Sequence, residues 1–204
     1  MTLVDQGFLL AAGLFALYLC FIFYRSYNQT KKVHNIYYLA SFAVLLVAGL
    51  LLIFLSYDIL TNPIVVIAST LIPLTLALGL VTQFYPKQEK YYLLFVLVGL
   101  ILIVGTRVTD TGKLGTMVLA LIHSVAGLTV FSVPIMAAKN NWVTRDFIGI
   151  TIGGALIGVG GIALGFLKAG KPLLFFTEEV IFFILAPLLF LMTASFAHGF
   201  VRGR

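Results

Sequence analysis

Charged residues are scarce in this chain of 204 residues. They make up 10% of the composition, whereas a soluble domain typically carries about 25%. Apolar residues make up 61%, and long uncharged runs fill nearly all of the sequence. Almost nothing is left over for a soluble domain. The composition therefore predicts an all-α integral membrane protein in contact with the lipid bilayer.

Cysteine and histidine are also rare. Cys20 is the single cysteine, which excludes an intramolecular disulfide and a cysteine-based metal site. No two of the three histidines share a helix face, so we expect no metal site. His34 and His198 do not match the predicted membrane depth of His123, so a haem held by two histidines is not indicated. We expect no cofactor.

Motifs of catalysis are missing as well. The chain has no Gly-x-Ser-x-Gly, no phosphate-binding loop and no Ser/His/Asp set within its apolar runs. Glu178-Glu179 looks like the start of the motif of CAAX-type intramembrane proteases. The arginine position of that motif is Phe183 here, and its later histidine elements are absent. The sequence therefore predicts a protein that is not an enzyme.

The apolar runs have the length of membrane-spanning helices, which need about 20 residues. They lack the alternation of apolar and polar residues that is typical of a membrane β-barrel. We predict a bundle of seven transmembrane helices in a single polytopic domain, residues 1–204. The approximate bounds are 6–25, 35–57, 63–85, 90–108, 114–138, 147–167 and 173–200.

The distribution of lysine and arginine predicts the orientation of the bundle. With the N-terminus outside and the C-terminus cytoplasmic, nine of the 13 basic residues lie on the cytoplasmic side and four outside. The net charge of +6 is then explained by cytoplasmic loops that lie against anionic lipid. No basic domain exists for nucleic acid. Small size and short loops favour a prokaryotic cytoplasmic membrane.

Glycine is concentrated in the predicted sixth helix, and several of its glycines lie four residues apart. Stripes of small residues allow helix backbones to approach closely in lipid. We expect this stripe to pack within the chain or against another subunit; a flexible hinge is the alternative. The glycines are Gly149, Gly153, Gly154, Gly158, Gly161 and Gly165.

Aromatic residues gather near the predicted helix ends. Among them are Tyr37, Tyr38 and Trp142. Tyrosine and tryptophan are enriched where a membrane protein crosses the lipid–water interface. We therefore predict that these side chains form an interfacial belt and do not line a ligand site.

Glu178 and Glu179 are the most informative polar pair. Measured from Pro172, they lie about 10 Å into the last predicted helix. Acidic residues at such depth are costly and indicate function. In the alternative, Thr177 caps a helix that begins later, and both carboxylates lie in its first turn, where the helix dipole favours them.

His123 is the second candidate, about 14 Å along the predicted fifth helix from Leu114. Small residues share its helix face and are expected to face neighbouring helices: Thr116, Ala120 and Gly127. His123, Glu178 and Glu179 have similar predicted depths, and Arg107 lies on the same side as a possible counter-charge. Such a cluster could relay protons or bind a cation. Alternatively, the histidine donates a hydrogen bond to a backbone carbonyl of the next helix.

The start of the chain resembles a known class of protein. Residues 24–27 (Tyr-Arg-Ser-Tyr) and 37–42 (Tyr-Tyr-Leu-Ala-Ser-Phe) are similar to uncharacterised prokaryotic multi-span proteins and to sensor-type membrane modules. The resemblance implies signalling through a separate partner. We therefore predict a non-enzymatic small subunit or sensor-like module of a larger membrane assembly, with a membrane-protein partner or a homo-oligomer. The alternative is a small proton- or cation-coupled transporter or channel that uses the His/Glu cluster.

Overall fold

The computed structural model describes residues 1–109, 111–168 and 177–203, with the side chains of residues 61, 162–168 and 178 left aside. All regular structure in this part of the chain is helical. Its α-helices are α1 (Leu3–Thr30), α2 (His34–Leu55), α3 (Pro63–Phe84), α4 (Glu89–Val108), α5 (Lys113–Lys139), α6 (Gly149–Lys168) and α7 (Glu178–Arg202). Short 3₁₀ helices lie at Tyr57–Thr61, Pro86–Gln88 and Arg145–Ile148.

The helices have the dimensions of membrane spans. Among the described residues, six are long and apolar enough to cross a membrane: α1 to α5 and α7. Large apolar side chains point outward around the bundle; Phe54, Ile101 and Phe183 are each more than 70% exposed. A soluble surface rarely carries so much apolar area, whereas lipid solvates it well. The predicted helical membrane bundle is confirmed at this level, and its orientation stays a prediction.

The first helix is longer than its apolar run. Thr2 and Asp5 form a capping box, in which the Asp5 N–H donates to Thr2 Oγ1 (3.2 Å) and the Thr2 N–H donates to the Asp5 carboxylate (2.7 Å). At the other end, Lys31 takes a left-handed conformation, and its N–H donates to the Tyr27 carbonyl (2.7 Å). These caps satisfy backbone groups that a helix end leaves open. The helix therefore extends five residues beyond the predicted bound at residue 25, through polar residues.

Six of the described helices pack in a closed circuit. In order, α1 contacts α2, α2 contacts α3, α3 contacts α5, α5 contacts α6, α6 contacts α7, and α7 returns to α1. The α4 helix lies outside this circuit, against α3 and α5. The α1 and α7 helices run parallel, since Phe8 is near Phe190 and Phe23 is near Phe200. We call the end where α1 begins the first end of the bundle, and the opposite end the second.

An aromatic cluster fills the bundle interior towards the second end. The Phe200 ring on α7 lies 5.0 Å from Phe23, 4.8 Å from Tyr38, 5.8 Å from Phe42 and 5.8 Å from Phe147, between ring centroids. All five side chains are buried. Tyr38 does not face the lipid as a member of the predicted belt would, because this side chain is only 1% exposed.

At the first end, Tyr57 follows α2 and stacks on Phe182 of α7, with ring centroids 5.1 Å apart. Its hydroxyl is buried and has no hydrogen-bond partner among the described residues. Burial, with the Asp5 carboxylate nearby, raises the pKa of Tyr57 from 10 to about 12. The phenol therefore stays neutral through ordinary pH.

Replacing Tyr57 with phenylalanine should keep the stack and remove the unsatisfied hydroxyl. We expect stability to be unchanged or raised by up to about 1 kcal/mol, because a buried polar group without a partner is costly. Because folding raises this pKa, wild type should also lose stability as the pH rises from about 10 to about 12, where only the unfolded state releases the phenol proton. Thermal unfolding in detergent should therefore show a smaller alkaline loss in Y57F than in wild type. A clear fall in stability of Y57F at neutral pH would contradict this prediction.

Candidate functional site

The glycine stripe of α6 has two halves with different surroundings. In the half near the second end, a Cβ on Gly149 would lie 2.8 Å from the Ser195 carbonyl oxygen of α7. A Cβ on Gly153 would lie 2.6 Å from the Phe196 ring, and one on Gly154 would lie 2.9 Å from Val130 of α5. Side chains do not fit at these positions. Glycine therefore sets the close approach of α6 to both neighbouring helices.

The other half of the stripe is open. A Cβ on Gly158 would meet no described atom within 4 Å, and one on Gly161 would meet only His123 Nε2, at 3.8 Å. Gly127 on α5 is similarly unobstructed within the described part of the molecule. Gly165 belongs to the stretch whose surroundings are not described. The intrachain packing expected of the stripe is thus present at Gly149, Gly153 and Gly154, and no described atom provides it at Gly158.

His123 lies beside this open half, with its imidazole turned towards α6. The side chain is half-buried, and no hydrogen bond joins it to any residue that the structure describes. The alternative, a hydrogen bond to a backbone carbonyl of the next helix, is therefore not found there. Ala120, one turn away, is exposed, and Gly127 is half-buried. The histidine borders α6 on one side and the outside of the bundle on the other.

The acidic pair lies at the start of α7. The helix begins at Glu178, and Thr177 caps it by accepting a hydrogen bond from the Val180 N–H (3.4 Å). This is the second of the two arrangements that the sequence left open. Glu179 is exposed in the first turn, and the side chain of Glu178 is outside the described set. A carboxylate in this position is stabilised by the helix dipole.

The structure does not assemble the candidate proton site from its described members. His123 is on α5 and Glu179 is on α7, and α6 packs between these two helices. Arg107, at the end of α4, has a buried Nε without a hydrogen-bond partner in the described part of the chain. It is level with Gly115 of α5, whose added Cβ would lie 3.3 Å from the Thr106 carbonyl oxygen. That is two turns, or about 12 Å, from His123.

A cavity that we did not predict lies at the second end. It has a volume of about 260 Å³ and is bounded by the end of α1, the beginning of α2, the end of α3 and the segment around Phe147. The amides of Asn35 and Gln83 are among its lining groups. In the sequence, the signal that could have indicated this cavity is the pair of amide side chains, Asn35 and Gln83, at the ends of apolar runs. Their convergence depends on helix packing, which the runs do not specify.

Chemistry by metal ions is not indicated in the described residues, which contain no group of three or more His, Cys, Asp or Glu side chains able to hold one. Comparison with models of protein families, with curated proteins and with solved structures finds no match for this chain. Any functional assignment therefore rests on the contacts between the residues of this chain.

Proposed function

We propose that this protein is a non-enzymatic small subunit, with a sensor-like role, of a larger assembly in a prokaryotic cytoplasmic membrane. A transmembrane helix of a partner protein packs on the open surface between α5 and α6. The observation that carries the proposal is His123, a half-buried imidazole on a spanning helix that forms no hydrogen bond within the described chain. Polar groups at membrane depth are costly unless they find a partner. The partner helix supplies one.

The surface beside His123 has the shape that such a helix needs. We call it the α5–α6 groove and define it by Ala120, His123, Gly127, Gly158 and Gly161. Four of the five side chains are no larger than a methyl group, so a second backbone can approach closely. A hydroxyl or carbonyl on that helix can then reach the imidazole. Bonds of this kind between membrane helices contribute about 0.6–2 kcal/mol.

The transport alternative draws less support from the same contacts. Its proposed carriers, His123 and Glu179, are on helices that α6 separates. The aromatic cluster around Phe200 occupies the interior through which a central path would run. A packed interior suits a structural or signalling subunit.

A bulky residue in the groove tests the proposal. Gly158→Leu places a large side chain where the partner helix would pack, and its Cβ meets no described atom of this chain within 4 Å. Gly49→Leu is the matched control, because Gly49 is also unobstructed but belongs to α2, away from α5 and α6. Each full-length variant is expressed at native level, purified in mild detergent, and characterised by native mass spectrometry and thermal unfolding.

We expect wild type and G49L to carry a partner in a fixed ratio, and G158L to lose it while its unfolding temperature is unchanged. His123→Leu should weaken the same association about tenfold, the equivalent of one lost polar contact. Recovery of wild type as a lone monomer would contradict the proposal, as would equal partner retention in G158L and G49L.

A further inference from the structure

The floor of the cavity at the second end is aromatic. Phe23, Tyr38, Phe147 and Phe200 line it, and each is at most 2% exposed. Trp142 forms part of the wall. Its indole also lies 6.0 Å from the Phe84 ring and 5.8 Å from the Tyr85 ring, which hold it in place. Such a floor favours a flat, apolar body over a fully polar solute.

The rim of the cavity is polar and rich in hydrogen-bond donors. The Tyr38 hydroxyl donates a hydrogen bond to Gln83 Oε1 (2.8 Å). The NH₂ group of Gln83 is then available as a donor. Asn35 is already engaged, because its NH₂ donates to Thr30 Oγ1 (3.3 Å) and to the Lys32 carbonyl (3.3 Å). None of the described hydrogen bonds uses the Gln83 NH₂.

The rim of the cavity carries positive charge and no negative charge among its described lining residues. Lys32 lines the cavity, and its exposed ammonium has no ion-pair partner within the described residues. The described lining includes no aspartate or glutamate. A cation and an amide donor above an aromatic floor are complementary to a carboxylate attached to a ring.

We propose that this cavity binds a small aromatic carboxylate. The ring packs on Trp142, which is 51% exposed, and meets only the edges of the buried Tyr38 and Phe200 rings, while the carboxylate accepts hydrogen bonds from Lys32 Nζ and Gln83 Nε2. The volume of about 260 Å³ suits a molecule of one ring with a short acidic side chain. The cavity is at the second end of the bundle, whereas the α5–α6 groove lies near the middle of α5 and α6 and shares no residue with it, so the site does not depend on the proposed partner. If both hold, the cavity is the input of the sensor-like subunit.

The fluorescence of Trp142 provides an intrinsic probe of ligand binding. Trp142 is the single tryptophan and lines the cavity, so its emission reports directly on occupancy. Full-length protein in detergent is titrated with phenylacetate and with benzoate. Phenylacetamide, which keeps the ring without the charge, and acetate, which keeps the charge without the ring, are the ligand controls. We expect saturable changes with the two acids, binding about tenfold weaker for the amide, and no change with acetate.

Two variants assign the effect to the rim. Lys32→Met should weaken phenylacetate binding about tenfold and leave phenylacetamide binding unchanged. Lys31→Met is the matched control, since the adjacent Lys31 does not line the cavity and instead lies over the Tyr27 ring at 5.3 Å. Gln83→Glu keeps an acceptor for the Tyr38 hydroxyl and adds a negative charge, so it should abolish binding of the acids. Thermal unfolding confirms that each variant is folded.

Several results would overturn this proposal. They are an absent emission change with both acids, equal affinity for phenylacetate and phenylacetamide, and equal losses in K32M and K31M. An emission change with short-chain phosphatidylglycerol but not with the acids would assign the cavity to a lipid headgroup instead. None of these outcomes bears on partner retention in G158L, so the two proposals fail separately.

Discussion

Replacing Phe200 with alanine is expected to lower the free energy of unfolding by about 3 kcal/mol. The Phe200 ring contacts four other rings, on α1, on α2 and beside α6 at Phe147, and is 2% exposed. Lipid is as apolar as a protein core, so the loss comes from packing and not from transfer to water. This places the expected value at the lower end of the range for buried phenylalanine.

The control for this prediction is on the same helix. Phe183 is 77% exposed, and Phe183→Ala removes an equal number of atoms from a lipid-facing position. Unfolding of both variants by denaturing detergent, followed by circular dichroism, should give a change within about 0.5 kcal/mol for F183A. Similar losses in F200A and F183A would contradict the placement of Phe200 at the centre of the cluster.

Replacing Gly149 with alanine should cost about 2 kcal/mol. The new Cβ would lie 2.8 Å from the Ser195 carbonyl oxygen and 3.0 Å from the Gly199 nitrogen. Both are backbone atoms, so relief requires α7 to move as a whole. Overpacking of this kind costs about 1–3 kcal/mol, which exceeds the gain of up to about 1 kcal/mol from the better helix propensity of alanine.

Gly158→Ala is the matched control for Gly149→Ala. The same helix receives the same methyl group, but nothing in the described structure lies within 4 Å of it. The purified chain should therefore be unchanged or more stable by up to about 1 kcal/mol. The difference between the two unfolding temperatures measures the closeness of α6 to α7. Equal effects would show that helix propensity alone decides both.

The sequence predicts the number and kind of the helices well, because lipid imposes a length and a composition on every span. It predicts their ends less well. The polar stretch that ends at Thr30 continues α1, because a cap at Lys31 satisfies the backbone beyond the apolar run. At α7, Pro172 and Thr177 are competing start signals, and residues 169–176 lie outside the described structure. The observed Thr177 cap identifies the start of the described helix.

Contacts between helices are the feature of the fold that local sequence patterns do not predict. Gly149 and Gly158 belong to the same stripe, yet only Gly149 faces a glycine of another helix, Gly199. Tyr37 and Tyr38 are neighbours in sequence and point about 100° apart on a helix, so position near an end does not tell which one is buried. The separation of His123 from Glu179 likewise follows from the order of helices around the circuit, which involves residues far apart in the chain.

The parallel contact between α1 and α7 has a consequence for biosynthesis. Ribosomes make α1 long before α7, so the rings of Phe8 and Phe23 that pack on α7 in the finished bundle have no helix to receive them during elongation. Until α7 is made, the seam of α1 that packs on α7 therefore lacks its partner helix. Closure of that seam is a late event, which couples the maturation of the whole bundle to the arrival of α7 in the bilayer.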